Sequence, residues 1–169
     1  RNHIDGKGGA IYLGSGTLNI KNSILWTNRV ASGSQNGQEI YVAGGTLNVD
    51  YSLLTGTALP YVYGAGTFNN CREVDPLFAS AADLHLQSPA GRWDPSAGGF
   101  VITDADYSPA IDAGDPADPI GGEPTDNGNS RINMGAYGGT AEASKSPAAF
   151  PPLLVDRGVT VSYHRAALS

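Results

Sequence analysis

Short apolar and polar alternations recur along the first half of the chain, and they predict stacked β-strands. Three segments, 11–20, 40–49 and 61–70, share one pattern: an alternating run, a glycine-rich turn, then Thr followed by an apolar residue and Asn. Strict alternation over a few residues is typical of half-buried strands, because successive side chains point to opposite faces. No stretch of a dozen residues keeps a 3.6-residue apolar period without Gly or Pro, so we expect almost no long helix.

The spacing of the three segments predicts a solenoid. Thr17 and Thr46 are 29 residues apart and Thr46 and Thr67 are 21 apart, a difference that we assign to a polar insertion at 29–38. A further short strand follows in each repeat, at Ile24, Leu53 and Val74. We therefore predict an all-β parallel β-helix; a β-sandwich also has short strands and glycine turns, but it does not predict near-identical segments in register. The predicted inward residues are Ile11, Leu13, Leu18, Ile20 and Ile24, with Ile40, Val42, Leu47, Val49 and Leu53 stacked on them.

The composition and charge of the chain exclude some classes of binding partner. The chain has 169 residues, 23 glycines and a net charge of −6, and its ten Lys and Arg residues do not cluster, which argues against nucleic acid. A single cysteine, Cys71, provides neither a disulfide nor a thiolate zinc site. No apolar run is long enough to span a membrane, and the first residues are neither an initiator Met nor a signal peptide, so we expect a piece of a longer protein.

Four motifs in the second half carry a family resemblance. They are Asp-Pro-Leu-Phe at 75–78, Leu-His-Leu at 84–86, Ser-Pro-Ala-Ile-Asp-Ala-Gly at 108–114 and Asn-Met-Gly-Ala-Tyr at 133–137. Together with the repeats, over roughly residues 8–146, they resemble the C-terminal end of bacterial extracellular right-handed parallel β-helix repeat proteins. The resemblance implies a right-handed parallel β-helix, secretion or surface display, and attachment to a larger surface protein, but no single activity.

The domain organisation follows from the repeats and the resemblance. We expect coils in 1–74, closing coils with a Pro-, Asp- and Gly-rich C-terminal cap of the same domain in 75–147, and a tail of uncertain structure in 148–169. A cap is expected because the open end of a solenoid exposes unpaired strand edges. The N-terminal end has no such segment, and self-association through it is a predicted partner interaction.

Oxygen-bearing residues in one glycine-rich stretch make calcium the preferred metal if a metal binds. The candidate ligands are Asp112, Asp115 and Asp126, with Asp118, Asn127 and Asn129 nearby in sequence. The alternative is that these residues form Asx turns, since their spacing matches no EF-hand and Asp before Gly or Pro is ordinary turn chemistry. No cofactor is required by the sequence.

The outward-facing positions suggest a ligand surface. The predicted ladders are Tyr12–Tyr41–Val62, Thr17–Thr46–Thr67 and Asn19–Asn48–Asn69. One interpretation is a structural, hydrogen-bonding face; the other is a shallow carbohydrate-binding face with Tyr12, Tyr41, Asn19 and Asn48 as contacts, because sugars bind aromatic rings and amides. A third interpretation, less favoured than these two, is ice binding by the threonine ladder.

Two further candidates lie in the second half. Arg92 and Trp93, beside Asp94 on a predicted loop, are expected to form one wall of any ligand pocket. His85 is the weak catalytic candidate, and we interpret it as a packing or hydrogen-bonding residue.

The functional hypothesis is a non-enzymatic extracellular β-helix module for surface structure, adhesion or glycan contact. Two enzymatic alternatives stay open. The chain is the terminal part of a polysaccharide lyase or glycoside hydrolase whose catalytic coils precede it, or it is a small hydrolase active as it stands.

Overall fold

The described part of the protein is all-β. The computed structural model describes residues 2–31, 36–126, 128–129 and 131–147, without the side chains of His3 and Ile4. Its residues form no helix, and none of its elements is long and apolar enough to cross a membrane as a helix. Its strands are β1 (His3–Ile4), β2 (Ile11–Leu13), β3 (Thr17–Lys21), β4 (Ile24–Leu25), β5 (Arg29–Val30), β6 (Ile40–Val42), β7 (Thr46–Asp50), β8 (Leu53–Leu54), β9 (Val62–Tyr63), β10 (Thr67–Asn69), β11 (Arg92–Asp94) and β12 (Gly99–Val101).

Strands from successive repeats pair in parallel, which confirms the prediction of all-β structure with parallel sheets. The sheets are β2-β6-β9, β3-β7-β10 and β4-β8, each joining strands from different repeats. Between the first two repeats the pairing follows the predicted register throughout, with Ile11 opposite Ile40, Thr17 opposite Thr46 and Ile24 opposite Leu53. Tertiary structure here follows directly from the sequence repeat.

The predicted register of the third repeat is wrong. Tyr41 lies opposite Tyr63, not Val62, and Val62 is buried opposite Ile40. A shift of one residue in a strand exchanges its two faces, so burial of Val62 decides this pairing. In the next strand the shift is two residues, which leaves the faces unchanged: Thr67 lies opposite Asn48 and Asn69 opposite Asp50.

The third strand of this repeat is also misplaced in the prediction. Leu53 forms a parallel bridge with Arg72, whereas Val74 is 40% exposed and lies outside the strands. The predicted polar insertion at 29–38 is likewise not all loop, because β5 pairs in parallel with β1.

Two kinds of corner explain why the repeats turn where they do. Gly45, at the first corner, has φ of 91°, and a Cβ there would lie 2.3 Å from the backbone oxygen of Gly16 in the preceding repeat. The second corner places Asn22, Tyr51 and Asn70 in the left-handed region, once in each repeat. The first corner therefore requires glycine, whereas asparagine accepts the second at low cost.

Aliphatic side chains of the repeats form the first core. The buried members include Ile40, Leu47, Val49 and Leu54, and Ile11, Leu13, Leu18, Ile20 and Phe68 pack against them. The predicted inward column is confirmed, with the exception of Ile24 and Leu53. These two belong to a second core on the opposite face of β4 and β8.

The second core joins the two halves of the chain. Leu53 packs with a buried set from 86–134, and Ile24, Trp26, Tyr51 and Phe78 pack around it; that set is Leu86, Ala110, Ile111, Ala113 and Met134. Gly135 makes the close approach possible, since a Cβ there would lie 2.9 Å from Cδ1 of Ile24. The segment expected to cap one end thus packs along the side of the repeats, against β4 and β8.

Polar contacts reach all three repeats from this segment. The Asn22 side chain accepts a hydrogen bond from Asp115 N at 2.7 Å, Arg131 lies over the ring of Tyr51, and Arg72 donates to the carbonyl of Pro109 at 3.1 Å. Strands β2 and β3 remain at the edges of their sheets among the described residues. Self-association through that edge stays a prediction, and the predicted tail at 148–169 lies outside the described residues.

Candidate functional site

The outer face of sheet β2-β6-β9 carries a ladder of three tyrosines. The rings of Tyr12 and Tyr41 stack with centroids 5.6 Å apart and an interplanar angle of 6°, and those of Tyr41 and Tyr63 with centroids 4.4 Å apart and an angle of 12°. Lys7 donates a hydrogen bond of 3.0 Å to the Tyr41 hydroxyl, which raises the pKa of the lysine. Sequence reasoning found two of the three rings; the third was missed through the register error.

The neighbouring asparagine ladder is shorter than predicted. Asn48 donates a hydrogen bond of 2.8 Å from Nδ2 to Oδ1 of Asn19, as expected for paired amides on one face. Asn69 does not continue this row, because its partner is Asp50, and Thr67 takes the third position. These amides bind each other across the sheet, which is the structural role that the sequence left open.

The three candidate calcium ligands are each bound to a different group. The Asp112 carboxylate accepts a hydrogen bond of 2.8 Å from Ser146, Asp115 pairs with Lys21 at 2.6 Å, and Asp126 pairs with Lys145 at 2.5 Å. Among the described residues, no three His, Cys, Asp or Glu side chains form a group that could hold a metal ion. Asn127, part of the same sequence stretch, lies outside them.

The electrostatics of these carboxylates also differ. The hydrogen bond from Lys21 lowers the pKa of Asp115, and that from Lys145 lowers the pKa of Asp126. Burial raises the pKa of Asp112 instead. The aspartate-rich stretch therefore stabilises the closing half in two ways: Asp112 and Asp126 contact residues of that half, and Asp115 contacts Lys21 of β3.

His85 is enclosed by protein. Its side chain is fully buried, its ring stacks on Tyr137 with centroids 3.6 Å apart, and its Nδ1 lies 2.5 Å from Oδ1 of Asp83. Nε2 has no hydrogen-bond partner and lies 3.5 Å from the Glu142 carboxylate. This burial favours the packing interpretation, because a general base needs access to its substrate.

Arg92 and Trp93 lie on a hairpin, and the predicted loop is incorrect. Strands β11 and β12 pair antiparallel, and Trp93 packs edge-on against Phe100 with centroids 5.4 Å apart. Arg92 binds Asp104 at 3.0 Å and Asp83 at 3.4 Å. The arginine ties the hairpin to the segment before it.

Sequence reasoning missed two neighbouring hollows, which we together call the groove; residues of the repeated half line the first, and residues of both halves line the second. Two hollows of about 400 and 290 Å³ share Thr27 in their walls. Asn28, Arg29, Thr55 and Tyr61 line the first hollow. The second is lined by Trp26, Asp75, Phe78, Leu84 and Gln87. The only sequence signal was an aromatic residue at the end of a predicted strand, which does not distinguish a groove wall from core.

A buried carboxylate fixes the groove floor. Glu39 is fully buried and accepts hydrogen bonds from Asn28 N at 3.1 Å, Asn28 Nδ2 at 2.6 Å and the Thr55 hydroxyl at 2.5 Å. Thr55 Oγ1 in turn accepts from Thr27 N at 2.7 Å. The φ of Thr27 is 54°, an unfavourable conformation for a β-branched residue, so this network maintains a strained turn.

Comparison with known proteins adds no relative. No family model, no curated protein and no solved structure matches the chain. The class that the geometry defines is an all-β protein with parallel sheets built from a sequence repeat.

Proposed function

We propose that the chain is a right-handed parallel β-helix module, displayed outside a bacterial cell, that contacts glycan without turning it over. The observation that carries the proposal is the stacking of equivalent strands in three parallel sheets, with aliphatic residues inward and Tyr, Thr and Asn outward. Like-on-like stacking of a repeat is typical of solenoids, which present long regular surfaces to their partners. The family resemblance supports the right hand and the extracellular location.

The engagement of five ionisable groups within the protein supports the non-enzymatic part of the proposal. Glu39, Glu123 and His85 are buried, and Asp83 and Asp104 are bound to Arg92. The Glu123 carboxylate accepts hydrogen bonds from Asn133 N and Gly139 N, although burial raises its pKa. Lyases and hydrolases need a base or a carboxylate pair that faces the substrate.

A glycan array, run beside a panel of lyase and hydrolase substrates, tests this proposal. The folded chain is expected to bind at least one glycan and to release no product from any. Gly45→Val serves as the control with a disrupted first corner, and Gly99→Ala, where φ lies outside the left-handed region and a Cβ meets nothing within 4 Å, serves as the matched neutral variant. Product release, or binding equal in the Gly45→Val chain, would contradict the proposal.

A further inference from the structure

We infer that the groove beside Thr27 is the glycan-binding site, and that its ligand is a neutral, pyranose-based oligosaccharide. This inference rests on the proposed function and locates the glycan contact in one part of the protein. Sequence reasoning favoured the tyrosine ladder instead, so the two surfaces are compared first.

The tyrosine ladder is a poor surface for sugar rings. A pyranose binds an aromatic side chain by laying its C–H face on the ring face. Tyr41 has Tyr12 stacked on one face and Tyr63 on the other. The ladder therefore presents ring edges and hydroxyls along most of its length, and its stacking energy stabilises the sheet.

The groove has the size and the lining that a sugar chain needs. Its first hollow, of about 400 Å³, lies in the size range of small-ligand sites, roughly 300–1,000 Å³, and its second, of about 290 Å³, lies just below that range. Each hollow has an aromatic residue in its wall, Tyr61 in the first and Trp26 in the second. The amides of Asn28 and Gln87 each donate one hydrogen bond within the protein, Asn28 to Glu39 at 2.6 Å and Gln87 to the carbonyl of Phe78 at 3.1 Å. An amide NH₂ group has a second N–H, which can donate to a sugar hydroxyl.

The charged residues of the groove and the net charge of the chain favour a neutral ligand. The first hollow contains Arg29 and the second contains Asp75, so the groove has one group of each sign. The chain carries a net charge of −6, which repels polyanionic glycans at a distance. A ligand with many hydroxyls and no carboxylates suits both facts.

The floor of the groove is pre-organised. Strain at Thr27 persists because Thr55 and the buried Glu39 fix the turn from below. Residues maintained in rare backbone conformations cluster at binding and active sites. A rigid floor also reduces the entropy lost when a flexible oligosaccharide binds.

The test is calorimetric titration of the whole chain with three neutral probes and one charged one. The neutral probes are β-1,4-linked hexasaccharides of glucose, mannose and N-acetylglucosamine, and the charged probe is hexagalacturonate. The groove variants are Trp26→Leu and Arg29→Ala. The matched controls outside it are Tyr107→Leu and Arg72→Ala, with Tyr12→Ala as the ladder variant.

We expect a neutral hexasaccharide to bind, and each groove variant to weaken that binding by about tenfold or more, as for aromatic and arginine residues central to an interface. Trp26 also packs against the second core, so the exposed Arg29 provides the variant least able to disturb folding. Circular dichroism and thermal melting verify the fold of every variant.

Each of the other outcomes would overturn one stated part of the proposal: the site, the ligand class or the function. Loss of binding in Tyr12→Ala with the groove variants unaffected would move the site to the ladder and leave the proposed function standing. Preference for hexagalacturonate would overturn the neutral ligand. Absence of binding to all four probes by folded protein would overturn the groove assignment, and a silent array as well would remove the glycan-contact function itself.

Discussion

The two halves of the molecule are stabilised by different interactions. In the repeated half, residues 2–74, parallel strands satisfy the backbone and equivalent aliphatic residues stack in the core. In the closing half, residues 75–147, the described strands are the hairpin β11–β12, and buried polar side chains satisfy the backbone instead.

Buried hydroxyls in the closing half illustrate the difference. Ser144 donates to the carbonyl of Leu86 at 2.5 Å, Ser108 to that of Pro76 at 2.6 Å and Ser88 to that of Lys145 at 2.6 Å. A buried carbonyl without a hydrogen-bond partner is costly. In a sheet the neighbouring strand supplies the donor, whereas irregular backbone needs a side-chain donor such as these hydroxyls. Each half therefore depends on a different class of residue.

The largest expected effect comes from the residue pair that separates the two cores. Leu53 and Leu54 are adjacent in β8 and fully buried, but Leu54 lies in the first core and Leu53 in the second. Replacing either with Ala is expected to lower the free energy of unfolding by about 3 kcal/mol. Urea denaturation followed by circular dichroism measures both.

The shape of those transitions sharpens the comparison. If the two halves unfold together, both variants shift a single transition, whereas separate halves would give two transitions of which each variant shifts one. Leu59→Ala, at an exposed position, is the control and is expected to change little. A loss of less than 1 kcal/mol at Leu53 would contradict the packing of the halves described above.

Asn133→Ala is expected to have the next largest effect. Its buried amide accepts from Asp112 N and donates to the Ser144 carbonyl, each at 2.8 Å. Removing it leaves the partly buried N–H of Asp112 and the buried carbonyl of Ser144 without these partners, which costs about 2 kcal/mol. Asn48→Ala, in the exposed amide pair with Asn19, is the matched control, expected to cost less than about 0.5 kcal/mol. Equal losses in chemical denaturation would refute the claim that buried amides matter more in the closing half.

The smallest effect is the pH dependence of the contact between Lys21 and the closing half. The hydrogen bond from Lys21 lowers the pKa of Asp115, and the same contacts raise the pKa of Lys21 to about 12. The contribution of Asp115 is present above the unfolded aspartate pKa of about 4 and is lost as pH falls below it. That of Lys21 is present below about pH 10 and is lost as pH rises through about 12.

Melting temperatures measured across pH test this linkage. Wild type is expected to lose stability relative to Asp115→Asn below about pH 4, whereas Asp106→Asn, at an exposed position, should follow wild type. Parallel curves for wild type and Asp115→Asn would show that the ion pair contributes nothing.

Sequence reasoning predicted what the repeat encodes. The strands of the first two repeats, their register and the first core follow from alternation and self-similarity, because identical patterns one coil apart bury identical positions. The third repeat failed because its corner is shorter, so that alignment on the Gly-Thr sequence moved Val62 to the wrong face. The burial of Val62 opposite Ile40, which the sequence alone does not reveal, gives the correct register.

The site was less accessible to prediction than the fold. Tyr12 and Tyr41 were found as ladder residues, but whether a ring offers its face or its edge depends on stacking geometry. The second hollow brings Trp26 together with residues 49 or more positions later in the chain, such as Asp75. Contacts between segments that share no repeat leave no periodic signal.

The parallel stack in its observed register supports both the proposed module and the groove, and a cysteine cross-link tests it most directly. In a Cys71→Ser background, Asn48→Cys with Thr67→Cys places the two thiols on opposed positions of β7 and β10, within the reach of a disulfide. Asn48→Cys with Asn69→Cys is the matched control, because a two-residue offset separates the Cα atoms by about 8 Å. Mass spectrometry after oxidation is expected to find the 48–67 disulfide and not the 48–69 one; the reverse result would contradict the stack as described.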